Sequence, residues 1–166
     1  MGMKMTTPMP KIAAYINRKR EEYEQEVISN YQLVGEACVA HVRSLPSLSR
    51  ADFPNPKKIP PHKPYFIDLW GNLRSSVGYV IVKDGEIVSK GGFEAVKSSA
   101  KEGAKDGEQY AESLASKYPT GIVLIVVAGM IYASRVQNEY GYDVLTSAEL
   151  LADKMTKEFE EKMKAL

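Results

Sequence analysis

The sequence predicts an α+β fold: a small, mostly antiparallel sheet (a hairpin plus a central strand) covered by helices, with a long N-terminal helix. Three observations carry this prediction. An apolar stripe at helical spacing runs from Ile12 to Leu45 with no proline in it. Alternating apolar residues flank Asp84-Gly85, the pattern of a β-hairpin. An apolar run from Gly121 to Gly129 is followed by a second helical stripe that closes the chain.

In the first stripe, Ile12, Ile16, Tyr23, Val27, Tyr31, Val34, Cys38, Val42 and Leu45 recur at steps of three, four or seven. Arg18, Lys19, Glu21, Glu22, Glu24 and Glu26 fall largely between them. A helix from about Pro10 to Arg43 would be on the order of 50 Å long, more than the width of a domain this size. Part of its stripe would then pack on a neighbouring subunit. A kink near Gly35, giving two ordinary helices, is the other reading.

Residues 44–64 hold Pro46, Pro54, Pro56, Pro60, Pro61 and Pro64. Proline lacks the N–H and restricts its predecessor, so a long extended loop is expected here. Lys57, Lys58 and Lys63 make it basic, and its backbone suits reaching to a partner. Strands then follow. Val77, Tyr79 and Ile81 alternate with Gly78, Val80 and Val82; Asp84-Gly85 turns the chain, and Glu86 to Phe93 returns. Gly91-Gly92 marks a bulge or the strand end.

Ser99-Ala100-Lys101-Glu102 has the form of a capping box opening a helix. Ala104, Ala111, Leu114, Ala115 and Tyr118 form its apolar side, and Pro119 ends it. Gly103, Ala104, Gly107 and Ala111 are small enough for close approach to the sheet. Gly121 to Gly129 is rich in β-branched residues and apolar on both faces, so it is expected as the central strand. Tyr132, Val136 and Tyr140 suggest a short helical turn, with a continuing strand as the other reading, stopped by Gly141. Thr146-Ser147-Ala148-Glu149 has the form of a second capping box. It opens a terminal helix with Leu151, Met155 and Phe159 on one face.

The totals narrow the function classes. The chain has 166 residues, read as a flexible arm at 1–10 and one domain at 11–166. A net charge of +1 argues against bulk coating of nucleic acid. One cysteine, Cys38, excludes an internal disulfide. Neither a signal-peptide core nor a stretch long enough to span a bilayer is visible, so no membrane role is expected.

Little in the sequence points to catalysis. Cys38 and His41 lie three apart on the first helix, but two ligands do not close a metal site. Asp68, Asp84 and Asp143 do not pair, and Asp84 is a turn former. The glycines match no phosphate loop. No catalytic, metal or cofactor set is therefore expected. The cluster Arg18-Lys19-Arg20 suits contact with nucleic acid, but Glu21, Glu22, Glu24 and Glu26 cancel most of its field. Ten tyrosines against four Phe and one Trp suit surfaces that are wet in one state and buried in another.

Two segments carry a family resemblance. Trp70-Gly71-Asn72-Leu73-Arg74-Ser75-Ser76-Val77-Gly78-Tyr79 resembles the strand entry, GNLRSSIG, of the bacteriophage tail-completion (putative tail-component) family. The stretch from Val126 to Leu145, with Tyr132-Ala133 and Gly141-Tyr142-Asp143-Val144-Leu145, is similar to that family's segment leading into the last helix. Together the resemblance covers Tyr65 to Leu166. Gln137 stands where the family often has Glu, and Leu69-Trp70 replaces the usual Arg-Thr.

The resemblance implies a structural virion protein of a tailed phage, acting at the neck in tail completion or head–tail joining. It implies no enzyme activity and no cofactor. The implied partners are other neck and tail proteins and further copies of the chain in a ring, with DNA near by in the channel. The implied location is the virion, and the host cytoplasm during assembly. A DNA-contacting neck protein, another nucleic-acid-binding protein, and the neck roles of tail terminator or stopper are the alternatives. Candidate interface residues are Tyr65, Phe66, Trp70, Arg74, Lys57, Lys58, Tyr132, Tyr140, Tyr142 and Asp143. Arg74 is expected to pair with a carboxylate on the sheet or on the next subunit.

Overall fold

The first stripe forms one unbroken helix, α1 (Met9–Ser44), of 36 residues. At 1.5 Å per residue it is about 54 Å long. The structure, a computed structural model, describes residues 9–45, 47–48, 66–67, 70–139 and 143–165, with the backbone alone at 47–48 and 66–67. Gly35 does not kink α1. A Cβ there would stand 2.5 Å from Tyr79 Cγ, so the missing side chain is a notch that seats the tyrosine ring.

Two short strands, β1 (Ser47–Leu48) and β2 (Phe66–Ile67), pair in parallel through Ser47–Phe66 and Leu48–Ile67. Residues 49–65 between them lie outside the described residues, as does the expected arm up to residue 8. Gly71, at φ 86°, then launches the single turn α2 (Asn72–Ser75). Ser75 and Ser76 are fully buried and satisfied locally: their hydroxyls donate to the carbonyls of Gly71 and Leu73 at 2.7 and 2.8 Å.

Strands β3 (Val77–Lys83) and β4 (Glu86–Gly92) make the expected hairpin. Asp84 and Gly85 have φ of 51° and 87°, the double positive φ of a tight primed turn. The bulge falls between the pairs Ile81–Ser89 and Val82–Ile87, leaving Val88 as the extra residue. Gly91-Gly92 is instead the strand end, with Gly92 at φ 78°.

A 3₁₀ turn (Ser98–Ala100) leads into α3 (Lys101–Ala115). The expected capping box is not formed. The start of α3 lies on the turn before α2, so the Ser99 hydroxyl donates to the Trp70 carbonyl at 3.2 Å instead. The small residues act as expected: a Cβ on Gly103 or Gly107 would stand 2.3 Å from the carbonyl oxygen of Asn72 or Ser76. Tyr118, expected on the apolar side, lies past the helix end and is 41% exposed.

Strand β5 (Ile122–Ala128) corrects one expectation. The sheet order is β4-β3-β5, all antiparallel, so β3 is central and the apolar run is an edge strand. It is apolar on both faces because helices cover both faces of the sheet. Helix α4 (Ala133–Asn138) and the terminal helix α5 (Thr146–Lys164) complete the chain. The second capping box also fails to form. Asp143 Oδ1 accepts the Ser147 N–H at 3.1 Å, and Gln137 Oε1 accepts the Leu145 N–H at 2.9 Å.

The result is three layers. Val77, Tyr79 and Ile81 face α1, burying Ile28, Val34, Cys38, Val39 and Val42, with Ala148 of α5 beside them. Val80, Val82, Ile125 and Val127 face α3 through Ala111 and Ala115. Each large side chain so buried contributes about 1.5–3 kcal/mol.

Helix propensity alone predicts that Gly35→Ala stabilises the protein by about 1 kcal/mol. The Tyr79 ring reverses that sign. The substitution should destabilise by about 1–3 kcal/mol in urea unfolding, as overpacking does.

Candidate functional site

The groups that first suggest chemistry are absorbed in packing. Cys38 Sγ donates to the Ala148 carbonyl at 3.4 Å, and burial pushes its thiol pKa up, away from a reactive thiolate. His41 Nε2 lies 2.7 Å from Ser147 Oγ. Both side chains thus fasten α1 to the first turn of α5. Among the described residues, no three His, Cys, Asp or Glu side chains gather where an ion would bind.

The two segments that carry the resemblance fold against each other. The Gly129 N–H donates to the Ser76 carbonyl at 3.2 Å, and Val77 pairs with Ala128. Leu73, Ala133 and Val144 form one buried cluster, with Val136 packed beside it. Arg74 is tied to the end of α1. Its guanidinium donates to the Leu45 carbonyl and closes the end of α1. Asp143 likewise works inside the fold, through the Ser147 N–H.

Of the other expected contact residues, Trp70 is 59% exposed and Tyr132 38% exposed. Lys57, Lys58, Tyr65, Tyr140 and Tyr142 lie outside the described residues, and Phe66 is described only through its backbone pairing with Ser47. Of the expected set, the side chains of Trp70, Arg74, Tyr132 and Asp143 are thus the ones placed among the described residues.

Two uncovered surfaces stand out instead. The first is the outer half of α1. Burial of the stripe begins near Glu24, which takes an ion pair from Lys83 at 2.6 Å at the end of β3. Beyond it the stripe continues with no described element packed over it: Ile16, Tyr23 and Met9 are 57%, 53% and 69% exposed, and Ile12 is half-buried. The fifteen residues Met9–Tyr23 extend about 22 Å past the body.

The second is a groove along β5, walled by α5 and floored by α1. Its two hollows, about 270 and 490 Å³, are lined by Tyr31, Ile122, Leu124, Val126, Ala148 and Ala152. Glu149, Asp153, Lys157 and Glu160 form its rim. The strand edge beside it has no neighbour among the described residues. The bonds at Ser76–Gly129 and Asp84–Gly121 set the alternation, so the N–H and C=O groups of Ile122, Leu124, Val126 and Ala128 point outward.

Sequence reasoning had the outer stripe in view but missed the groove. Period-two patterning does not separate an edge strand from a central one when both faces are covered. The small residues Ala148 and Ala152 on α5 were the available signal. No family model, curated protein or solved structure matches this chain.

Tyr79 gives the packing a pH signature. Burial first, and then its 2.9 Å hydrogen bond to Glu36 Oε1, push its pKa up to about 12. The folded value is above the unfolded one, so the protonated phenol favours the fold. Its contribution is complete below about pH 10 and lost as the pH rises from there through 12. Tyr31 is also pushed up by burial, so it adds to the same loss. Alkaline unfolding followed by circular dichroism should show the decline, and Tyr79→Phe should flatten it without abolishing it.

Proposed function

We propose that the protein is a structural virion component of a tailed bacteriophage that completes the tail or joins it to the head through protein–protein interfaces. The observation that carries this reading is the outer half of α1. A helix that stands clear of its own body with an apolar stripe bare is built to be covered by another chain. The exposed Trp70 and Tyr132 are further anchors of the kind that dominate interface energetics.

The resemblance supplies the setting. Its two segments, separated by about fifty residues in the sequence, form one packed unit around Leu73, Ala133 and Val144. In this reading their buried residues are determinants of the fold, and contact falls to the exposed Trp70 and Tyr132 at their margins and to the outer half of α1. The partners are further copies of the chain in a ring and neighbouring neck and tail proteins. The site of action is the virion, reached from the host cytoplasm during assembly. Tail terminator and stopper are neighbouring roles with the same physical demands. No helix among the described residues is long and apolar enough to cross a membrane.

Disrupting the gene in its phage or prophage and imaging the induced lysate by electron microscopy tests the reading. Full heads and separate tails that fail to join are expected. Normal infectious particles would overturn it.

A further inference from the structure

We propose that the outer half of α1 docks into the groove between α5 and β5 of a second copy of this chain, head to tail. The two uncovered surfaces match in length. Met9–Tyr23 is about 22 Å long, and the groove wall from Ala148 to Glu160 on α5 is about 18 Å. They match in relief as well. Ile16 projects from the helix with the half-buried Ile12 one turn before it, while Ala148 and Ala152 leave the hollows that receive them.

They also match in charge. Met9–Tyr23 carries Lys11, Arg18, Lys19 and Arg20 against Glu21 and Glu22, a net charge of +2. The groove rim carries Glu149, Asp153 and Glu160 against the single cation Lys157. Arg18 and Arg20 have partners on their own helix, Glu22 and Glu24, at 3.6 Å. Those pairs leave both arginines about two-thirds exposed and hold them weakly, so they remain free to turn to the rim.

The groove that α1 fills cannot be its own. The inner half of α1 is the floor of that groove, and the straight helix carries its outer half away from it. Projection and groove are different surfaces of one chain, so the contact is heterologous. It adds copies in one direction and closes into a ring if the rotation per copy permits. The proposal shares the bare half of α1 with the neck reading, but their tests are distinct: the association state of the purified chain decides this contact, and the particles made without the gene decide the neck role.

Sedimentation velocity on the full chain over a concentration series tests it. Wild type should pass from monomer to larger species. Ile12→Asp/Ile16→Asp, which alters only the projection, and Ala152→Trp, which fills the groove, should each stay monomeric. An equimolar mixture of the two should form dimers and stop there, because each pair has one intact contact. Glu149→Lys/Asp153→Lys changes only exposed side chains. It should weaken association by at least about tenfold, with the deficit shrinking in high salt, and it replaces Ala152→Trp if that variant does not fold. The proposal fails if wild type is monomeric throughout, or if the projection variant associates like wild type. It also fails if the groove variant dimerises alone, as an α1–α1 pairing would, or if the mixture stays monomeric.

Discussion

The seating of the Tyr79 ring in the notch at Gly35 sets how α1 lies on the sheet, and much else depends on it. The ring fills the space a Cβ would occupy, and its hydroxyl reaches Glu36. On either side, Lys83–Glu24 and Gln32–Ser89 tie the same helix to the hairpin, and Arg43–Glu94 ties it to the segment just after β4. These ties lie at the margin of the layer, and the buried ring and stripe carry most of the stability. With α1 fixed, Cys38 and His41 determine where α5 begins, and α5 then stands away from β5 and leaves the groove.

A second constraint operates on the other face. Gly103 and Gly107 bring α3 within contact of the α2 backbone and the start of β3, and Gly129 meets Gly107 in turn. Three backbones converge where the two resemblance segments meet. Their short residues are needed for that convergence, and the hydroxyls of Ser75 and Ser76 are satisfied inside it. Such an arrangement fixes a scaffold and leaves recognition to the periphery.

Much of this was legible in the sequence. The stripe of α1, the Asp84-Gly85 turn and the small face of α3 follow directly from periodicity and backbone chemistry. Both capping boxes misled, because side-chain oxygens bond to whichever partner tertiary packing brings near. For Ser99 that is the Trp70 carbonyl, and at α5 the cap comes from Asp143, outside the motif. The apolar run of β5 was read correctly as covered on both faces and wrongly as central. Strand order depends on pairing between segments far apart in the chain, which local patterning does not encode. The candidate contact residues were chosen as aromatic and basic residues near turns. The surfaces that remain uncovered are a helix end and a groove, visible only once the layers are assembled.

The central claim is that α1 is one helix doing two jobs: its inner half belongs to the core, and its outer half waits for a partner. Hydrogen exchange measured peptide by peptide at low protein concentration addresses this most directly. An isolated helical segment frays, whereas a packed one opens only with the core. The account predicts rapid exchange across residues 12–23 and slow exchange across 28–42, with the outer half becoming protected as concentration rises. Equal, slow exchange along the whole helix in the dilute monomer would contradict it.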